Sequence, residues 1–167
     1  RLGANARRLH PSAPGVVVPA VPEDLQMDGV LRLIDVDRAW CPTVPESSMY
    51  IRPFMFGTQD TLGVKASNAY TYALIISPSG PYYAGGFSNP VKLLITQKFH
   101  RAVAGGTGTA KCGGNYAASL PAAEYAHEKG AGQVPYLDAS TEDNEEVGTM
   151  NPHHVLKSRT FVIPAFN

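Results

Sequence analysis

Apolar residues recur along this chain first with a helical period and then in short runs that favour strands. Across residues 22–37, Leu25, Met27, Val30, Leu33 and Ile34 form an apolar stripe behind Pro22-Glu23-Asp24. That opening suits a helix N-terminus, because proline has its φ preset and acidic charge complements the helix dipole. The spacing predicts a helix there. Residues 5–9 also have helical character, which Pro11-Ser12-Ala13-Pro14-Gly15 is expected to break. From residue 48 onward the signal becomes strand-like over 49–56, 70–77 and 91–96, each run bounded by Gly, Pro, Asn or Ser. Residues 115–129 have helical composition and stop at Gly130, after which 133–138 and 155–163 read as strands. The result is an α/β (α+β) arrangement without internal repeats.

Turn residues concentrate in Pro78-Ser79-Gly80-Pro81-Tyr82-Tyr83-Ala84-Gly85-Gly86, a hinge-like stretch. The expected organisation is a lobe over 1–77, a linker over 78–89 and a second lobe over 90–167.

With 167 residues, 44% hydrophobic and 17% charged, the chain can bury a real core and is not compositionally disordered. Fourteen Lys and Arg balance fourteen Asp and Glu, and no block of like charge is long enough to track a phosphate backbone. Nucleic acid is therefore not expected as a partner, nor is a membrane surface. Apolar runs such as 72–76 are too short to span a bilayer, and Arg1-Leu2-Gly3-Ala4-Asn5 lacks the apolar segment of a secretion signal, so a cytoplasmic protein is expected. Cys41 and Cys112 are far apart and show no Cys-x-x-Cys spacing, which suggests neither a zinc site nor a disulfide scaffold. His153-His154 would point to opposite faces of a strand and is expected at or near a surface, with no metal.

Candidate chemistry centres on Gly105-Gly106-Thr107-Gly108-Thr109-Ala110-Lys111-Cys112-Gly113-Gly114. The run ends Ala-Lys-Cys where a nucleotide P-loop needs Gly-Lys-Ser/Thr, and Gly106-x-Gly108 lacks the third glycine of a dinucleotide fingerprint. Nucleotide hydrolysis is disfavoured. Glycines on both sides let the backbone approach a bulky group closely, which makes Lys111 a candidate reactive amine. A solvated lysine in a glycine loop is the competing reading, and the motif alone leaves both open.

Tyr50-Ile51-Arg52-Pro53, Leu62-Gly63-Val64, Gly105-Gly106-Thr107-Gly108, Ala110-Lys111-Cys112-Gly113-Gly114-Asn115-Tyr116 and Glu146-Val147-Gly148-Thr149-Met150-Asn151 together resemble the branched-chain amino acid aminotransferases. These are pyridoxal-phosphate enzymes of fold type IV. The order and approximate spacing of the segments match as well, through nearly the whole chain. The resemblance implies that Lys111 forms a Schiff base with pyridoxal 5'-phosphate and moves the substrate's α-proton. It implies that Glu146 pairs with the pyridine nitrogen, that Tyr116 lies beside the cofactor's phenolic oxygen and borders the substrate pocket, and that Thr149 lies near the cofactor edge. Arg8 matches the family's phosphate-binding arginine, a role that suits a planar guanidinium. Tyr50 and Arg52, at alternating strand positions, match substrate-pocket residues, where an arginine can receive the side-chain carboxylate of glutamate. The competing readings are a core tyrosine for Tyr116 and a surface arginine for Arg8. For Glu146 the rival is an exposed acid of a Glu-rich hairpin, a description that fits Glu142 and Glu145 better.

The resemblance covers the central part of such an enzyme, and both lobes are expected to be incomplete. The strands preceding Arg8 in the family, and later glycine and threonine amides of the phosphate and carboxylate sites, fall outside the chain. Three prolines depart from the family pattern. Pro121 falls inside the expected helix, at a cost of about 3 kcal/mol. Pro135 interrupts an expected strand, and Pro152 stands where an apolar strand residue is expected. The implied activity is transamination of leucine, isoleucine or valine with 2-oxoglutarate, in a homodimer. The alternatives are a non-catalytic scaffold or binding protein descended from such an enzyme, which the prolines favour, and another fold-type-IV activity such as a D-amino-acid transaminase or a lyase.

Overall fold

A computed structural model describes residues 2–81 and 88–164. It forms two compact units, Arg1–Asn89 and Pro90–Asn167. Of the expected linker over 78–89, residues 82–87 lie outside the described residues. Among the described residues no helix is long and apolar enough to cross a membrane.

The first unit opens with α1 (Leu2–Leu9), a single-turn α2 (Ser12–Gly15) and α3 (Glu23–Val36), followed by a 3-10 turn at Arg38–Trp40. Helix α1 ends at Leu9, as the expected break requires, and residues 12–15 then form a separate helical turn, with Val16 N–H donating to the Ala13 carbonyl. Helix α3 matches the predicted span closely, but its buried line differs from the expected stripe. Gln26 and Val30 are buried, whereas Leu25 and Ile34 are exposed. One residue is about 100° of helix, so Leu25 falls off the line through Gln26 and Val30. Arg7 on α1 pairs with Glu23 at 2.9 Å, across the start of α3.

Strands β1 (Ser48–Gly57) and β2 (Tyr70–Ser79) form an antiparallel hairpin. Alternation along β1 is strict, with Met49, Ile51, Pro53 and Met55 half-buried and Tyr50, Arg52, Phe54 and Phe56 exposed. Helix α3 packs on β2 so tightly that a Cβ on Gly29 would come within 2.7 Å of Leu74 Cδ1. This packing settles which hairpin face turns inward.

In the second unit, the segment 91–96 departs from the expected strand. It makes only a parallel bridge, Leu93 to Gln133, with backbone hydrogen bonds Leu94 N–H to Gln133 O and Gly132 N–H to Lys92 O. A strand needs a partner along its length, and here the partner lasts two residues. The expected helix over 115–129 is two helices, α4 (Gly113–Ala117) and α5 (Leu120–Glu128). Pro121 sits in the first turn of α5, where no intrahelical N–H is required, so its expected penalty does not arise. The stop at Gly130 is as expected. With φ at +68°, Gly130 donates to His127 O and Ala131 donates to Ala126 O, which closes a Schellman turn.

Strand β3 (Pro135–Leu137) begins at Pro135, a position that tolerates proline, and pairs antiparallel with β4 (Asn144–Val147). Residues 155–163 are not one strand. They contribute to a hairpin of β5 (His154–Val155) and β6 (Phe161–Val162), because Arg159 at φ +64° turns the chain and Leu156 N–H reaches Thr160 O. Pro152 lies in the irregular segment before β5 and interrupts no ladder. His153 is exposed, edge-on to Phe161, and His154 is half-buried in β5. The small core of this unit joins Ala122, Ala126, Ala131, Val134 and Tyr136, with Leu94 and Phe99 packed against it.

Candidate functional site

Lys111 stands two residues before α4, at the end of the glycine run, and that run is held by one side chain. Asn115, buried on α4, donates from Nδ2 to the carbonyls of Thr107 and Ala110, both at 2.8 Å, and accepts from Thr107 Oγ1 at 2.7 Å. Ala110 is buried, so the residue before Lys111 is anchored on both sides of its peptide. Lys111 itself projects outward. Its Nζ donates to the hydroxyl of Tyr116 and lies 4.7 Å from the centroid of that ring. The two residues expected to act together are therefore in direct contact. Tyr116 is half-buried, which sets aside the fully buried core tyrosine.

Glu146 lies on β4, directly opposite Tyr136 on β3. Its Oε2 forms an ion pair with Arg101 Nε at 2.7 Å, and both side chains are largely withdrawn from solvent, 15% and 13% exposed. One N–H contact leaves a carboxylate with spare acceptor capacity. Glu145 is half-buried rather than exposed, and burial, then Asp138 and Glu146, raise its carboxyl above the ordinary range against the lowering effect of Arg101. The description as an exposed acid fits only Glu142. Thr149 is exposed and follows Gly148, at φ +59°, in the turn closed by Val147 and Met150.

Tyr136 is buried, and its phenol is held above the usual tyrosine range by burial; Glu146 pushes it further up, while Arg101 and a hydrogen bond with Ser119 lower it. Ser119 Oγ in turn donates to the Tyr116 carbonyl at 2.7 Å. Ser119 thus binds the main chain of the residue that holds Lys111.

In the first unit, Tyr50 and Arg52 share the exposed face of β1, with the Arg52 guanidinium 5.1 Å from the centre of the Tyr50 ring. They line a cavity of about 340 Å³ with Ile75 and Ser77 of β2. One cation beside aromatic and apolar walls can take a ligand that has a carboxylate and a hydrocarbon part. Arg8 is exposed on α1.

Three participants escape a reading of the sequence. Arg101 carries no local motif, and its partner is far away in sequence. Asn115 stands inside a recognised segment, but its work is to satisfy backbone carbonyls, which only the folded loop reveals. Tyr136 reads as plain strand material until its register places it opposite Glu146. Chemically, an amine beside a phenol and a carboxylate with spare acceptor capacity fit a cofactor that offers an aldehyde and a ring nitrogen.

No family model matches the chain. Among curated proteins it is 45% identical over 160 residues to a branched-chain-amino-acid aminotransferase of Mycobacterium tuberculosis, which covers 95% of this chain and 43% of that protein. It is 40% identical over 164 residues to branched-chain-amino-acid transaminase 1 of Bacillus subtilis, covering 98% and 46%. Among solved structures, the branched-chain amino acid aminotransferase of Escherichia coli superposes with a TM-score of 0.72 at 25% identity, over 94% of this chain and 50% of that one. The chain spans less than half the length of these two curated relatives.

Proposed function

Because this chain is a branched-chain aminotransferase homologue along nearly its whole length, we propose that it is part of a pyridoxal-phosphate enzyme that exchanges the amino group of leucine, isoleucine or valine with 2-oxoglutarate. Pyridoxal 5'-phosphate, when bound, supplies a carbonyl that captures amines and an electron-poor ring that accepts the electrons of a breaking C–H bond. Lys111 would hold that carbonyl through Nζ and would serve as the general acid-base for the substrate's α-proton. Tyr116 orients Nζ through its hydroxyl. Glu146 would pair with the ring nitrogen and favour its protonated form. Arg8 takes the phosphate, and Thr149 borders the cofactor. Tyr50 and Arg52 receive the substrate side chain, Arg52 neutralising the distal carboxylate when glutamate or 2-oxoglutarate is bound. By the same reading the enzyme is a cytoplasmic homodimer.

The observation that carries the proposal is the Lys111–Tyr116 contact at the anchored end of the glycine run. It pairs the one lysine of that run with a phenol in a chain whose relatives are named transaminases. Incubation with pyridoxal phosphate, borohydride reduction and peptide mass mapping test it. A pyridoxyl adduct at Lys111 is expected, and the Lys111→Ala variant is expected to lose it. Labelling elsewhere, or none, overturns the role of Lys111.

A further inference from the structure

The Arg101–Glu146 pair has a geometry that a surface ion pair lacks. The two side chains are only 13% and 15% exposed, and the ion pair is close, Nε to Oε2 at 2.7 Å. A carboxylate on a short strand rotates about its own side-chain bonds unless something fixes it. Here Arg101 arrives from a different segment and holds one oxygen. Tyr136 is buried directly across the β3–β4 ladder from Glu146 and limits the space open to that carboxylate.

We infer that Arg101 is a positioning residue, which fixes the Glu146 carboxylate through Oε2 so that its remaining acceptor capacity is presented to the ring nitrogen of the bound cofactor. This rests on the reading of Glu146 given under the proposed function. In this role Arg101 acts through Glu146, the partner of its guanidinium. It also explains how a largely buried carboxylate persists. A buried charge without a partner is strongly disfavoured, and a guanidinium with its planar fork supplies one while leaving the second oxygen open.

The test is a double-mutant cycle read on the cofactor rather than on turnover. Pyridoxal phosphate affinity and the visible absorption of the lysine-bound cofactor across pH are measured for wild type, Arg101→Gln, Glu146→Gln and the double variant. Thermal unfolding of the cofactor-free forms runs in parallel. Arg101→Gln is expected to weaken cofactor binding roughly tenfold, the order found for groups that orient a liganding side chain. It is also expected to displace the pH profile of the absorption band in the direction that Glu146→Gln displaces it. In the Glu146→Gln background the same change is expected to add nothing, and Arg101→Lys is expected to restore part of the loss.

An Arg101→Gln effect of equal size in both backgrounds, or a wild-type pH profile in Arg101→Gln protein, overturns the positioning role even if its melting temperature falls. Glu146→Gln protein with a wild-type spectrum and affinity instead removes the reading of Glu146, and this role with it. The two failures are distinguished by whether Glu146→Gln itself alters spectrum and affinity.

Discussion

Asn115 shows how one buried amide can govern a loop whose glycines give it little stiffness of its own. Its two N–H groups are used on Thr107 O and Ala110 O, and its carbonyl oxygen accepts from Thr107 Oγ1. Truncation to alanine removes three hydrogen bonds at once, each worth about 0.5–1.5 kcal/mol net, while the Thr107 and Ala110 carbonyls each keep one backbone donor, Ala110 N–H and Cys112 N–H. The expected outcome for Asn115→Ala is a loss of about 2–3 kcal/mol in the free energy of unfolding, measured by urea titration. Asn115→Asp is expected to lose more at neutral pH, since a carboxylate would face the same two carbonyls. Equal stability of Asn115→Ala and wild type would mean that the loop holds itself. The contrast with Lys111 and Tyr116 explains what could be read at this scale. Those two stand five positions apart in one motif, whereas Asn115 answers a demand of the backbone and Arg101 answers a carboxylate 45 positions away, and neither demand is written in the neighbouring residues.

At the scale of elements, the β3–β4 hairpin turns on Asp138. Its Oδ1 accepts from Ser140 Oγ at 2.5 Å and from the backbone N–H groups of Ser140 and Thr141, each at 2.7 Å. These donors, the Ser140 hydroxyl first, hold the carboxyl at about 2, below its ordinary 3.8. A carboxylate whose folded value is depressed contributes stability above its unfolded value, and loses it as pH falls through the folded one. Asp138→Asn is therefore expected to melt below wild type at pH 7. The gap should close between about pH 4 and pH 2, as followed by circular dichroism. A gap independent of pH would assign the turn to backbone geometry alone.

The same scale shows where periodicity is informative. Helix α3 and the β1–β2 hairpin each carry a long pattern and lie close to their predicted spans. Residues 91–96 and 155–163 are as β-prone by composition, but strands depend on what lies alongside: the first finds a two-residue partner and the second folds back on itself. Pro121 departs from expectation for a related reason, since a proline is disruptive or suitable according to whether the helix begins before it or at it.

At the scale of the whole molecule, the two most exposed large apolar side chains among the described residues lie on the β1–β2 loop. Its base is pinned: Thr58 N–H donates to Ala69 O at 2.8 Å and Asn68 N–H to Gln59 Oε1 at 3.0 Å. Its tip presents Leu62 and Val64 fully to solvent on either side of Gly63. A tethered loop that displays two branched apolar side chains is poorly suited to water and well suited to a second protein surface. In the homodimer proposed above that surface would be a second copy of the chain, and fully burying a valine or leucine side chain is worth about 1.5–3 kcal/mol. The Leu62→Ser, Val64→Ser double variant is accordingly expected to weaken self-association by roughly 100-fold or more, read by sedimentation equilibrium over a range of protein concentrations. Within each protomer neither side chain is buried, so the unfolding free energy of the monomer should stay within about 0.5 kcal/mol of wild type. That pairing of outcomes separates an interface from a folding role. Lost association with unchanged monomer stability assigns the loop to the contact between copies. Unchanged association places that contact elsewhere, and a fall in monomer stability makes the loop part of the fold.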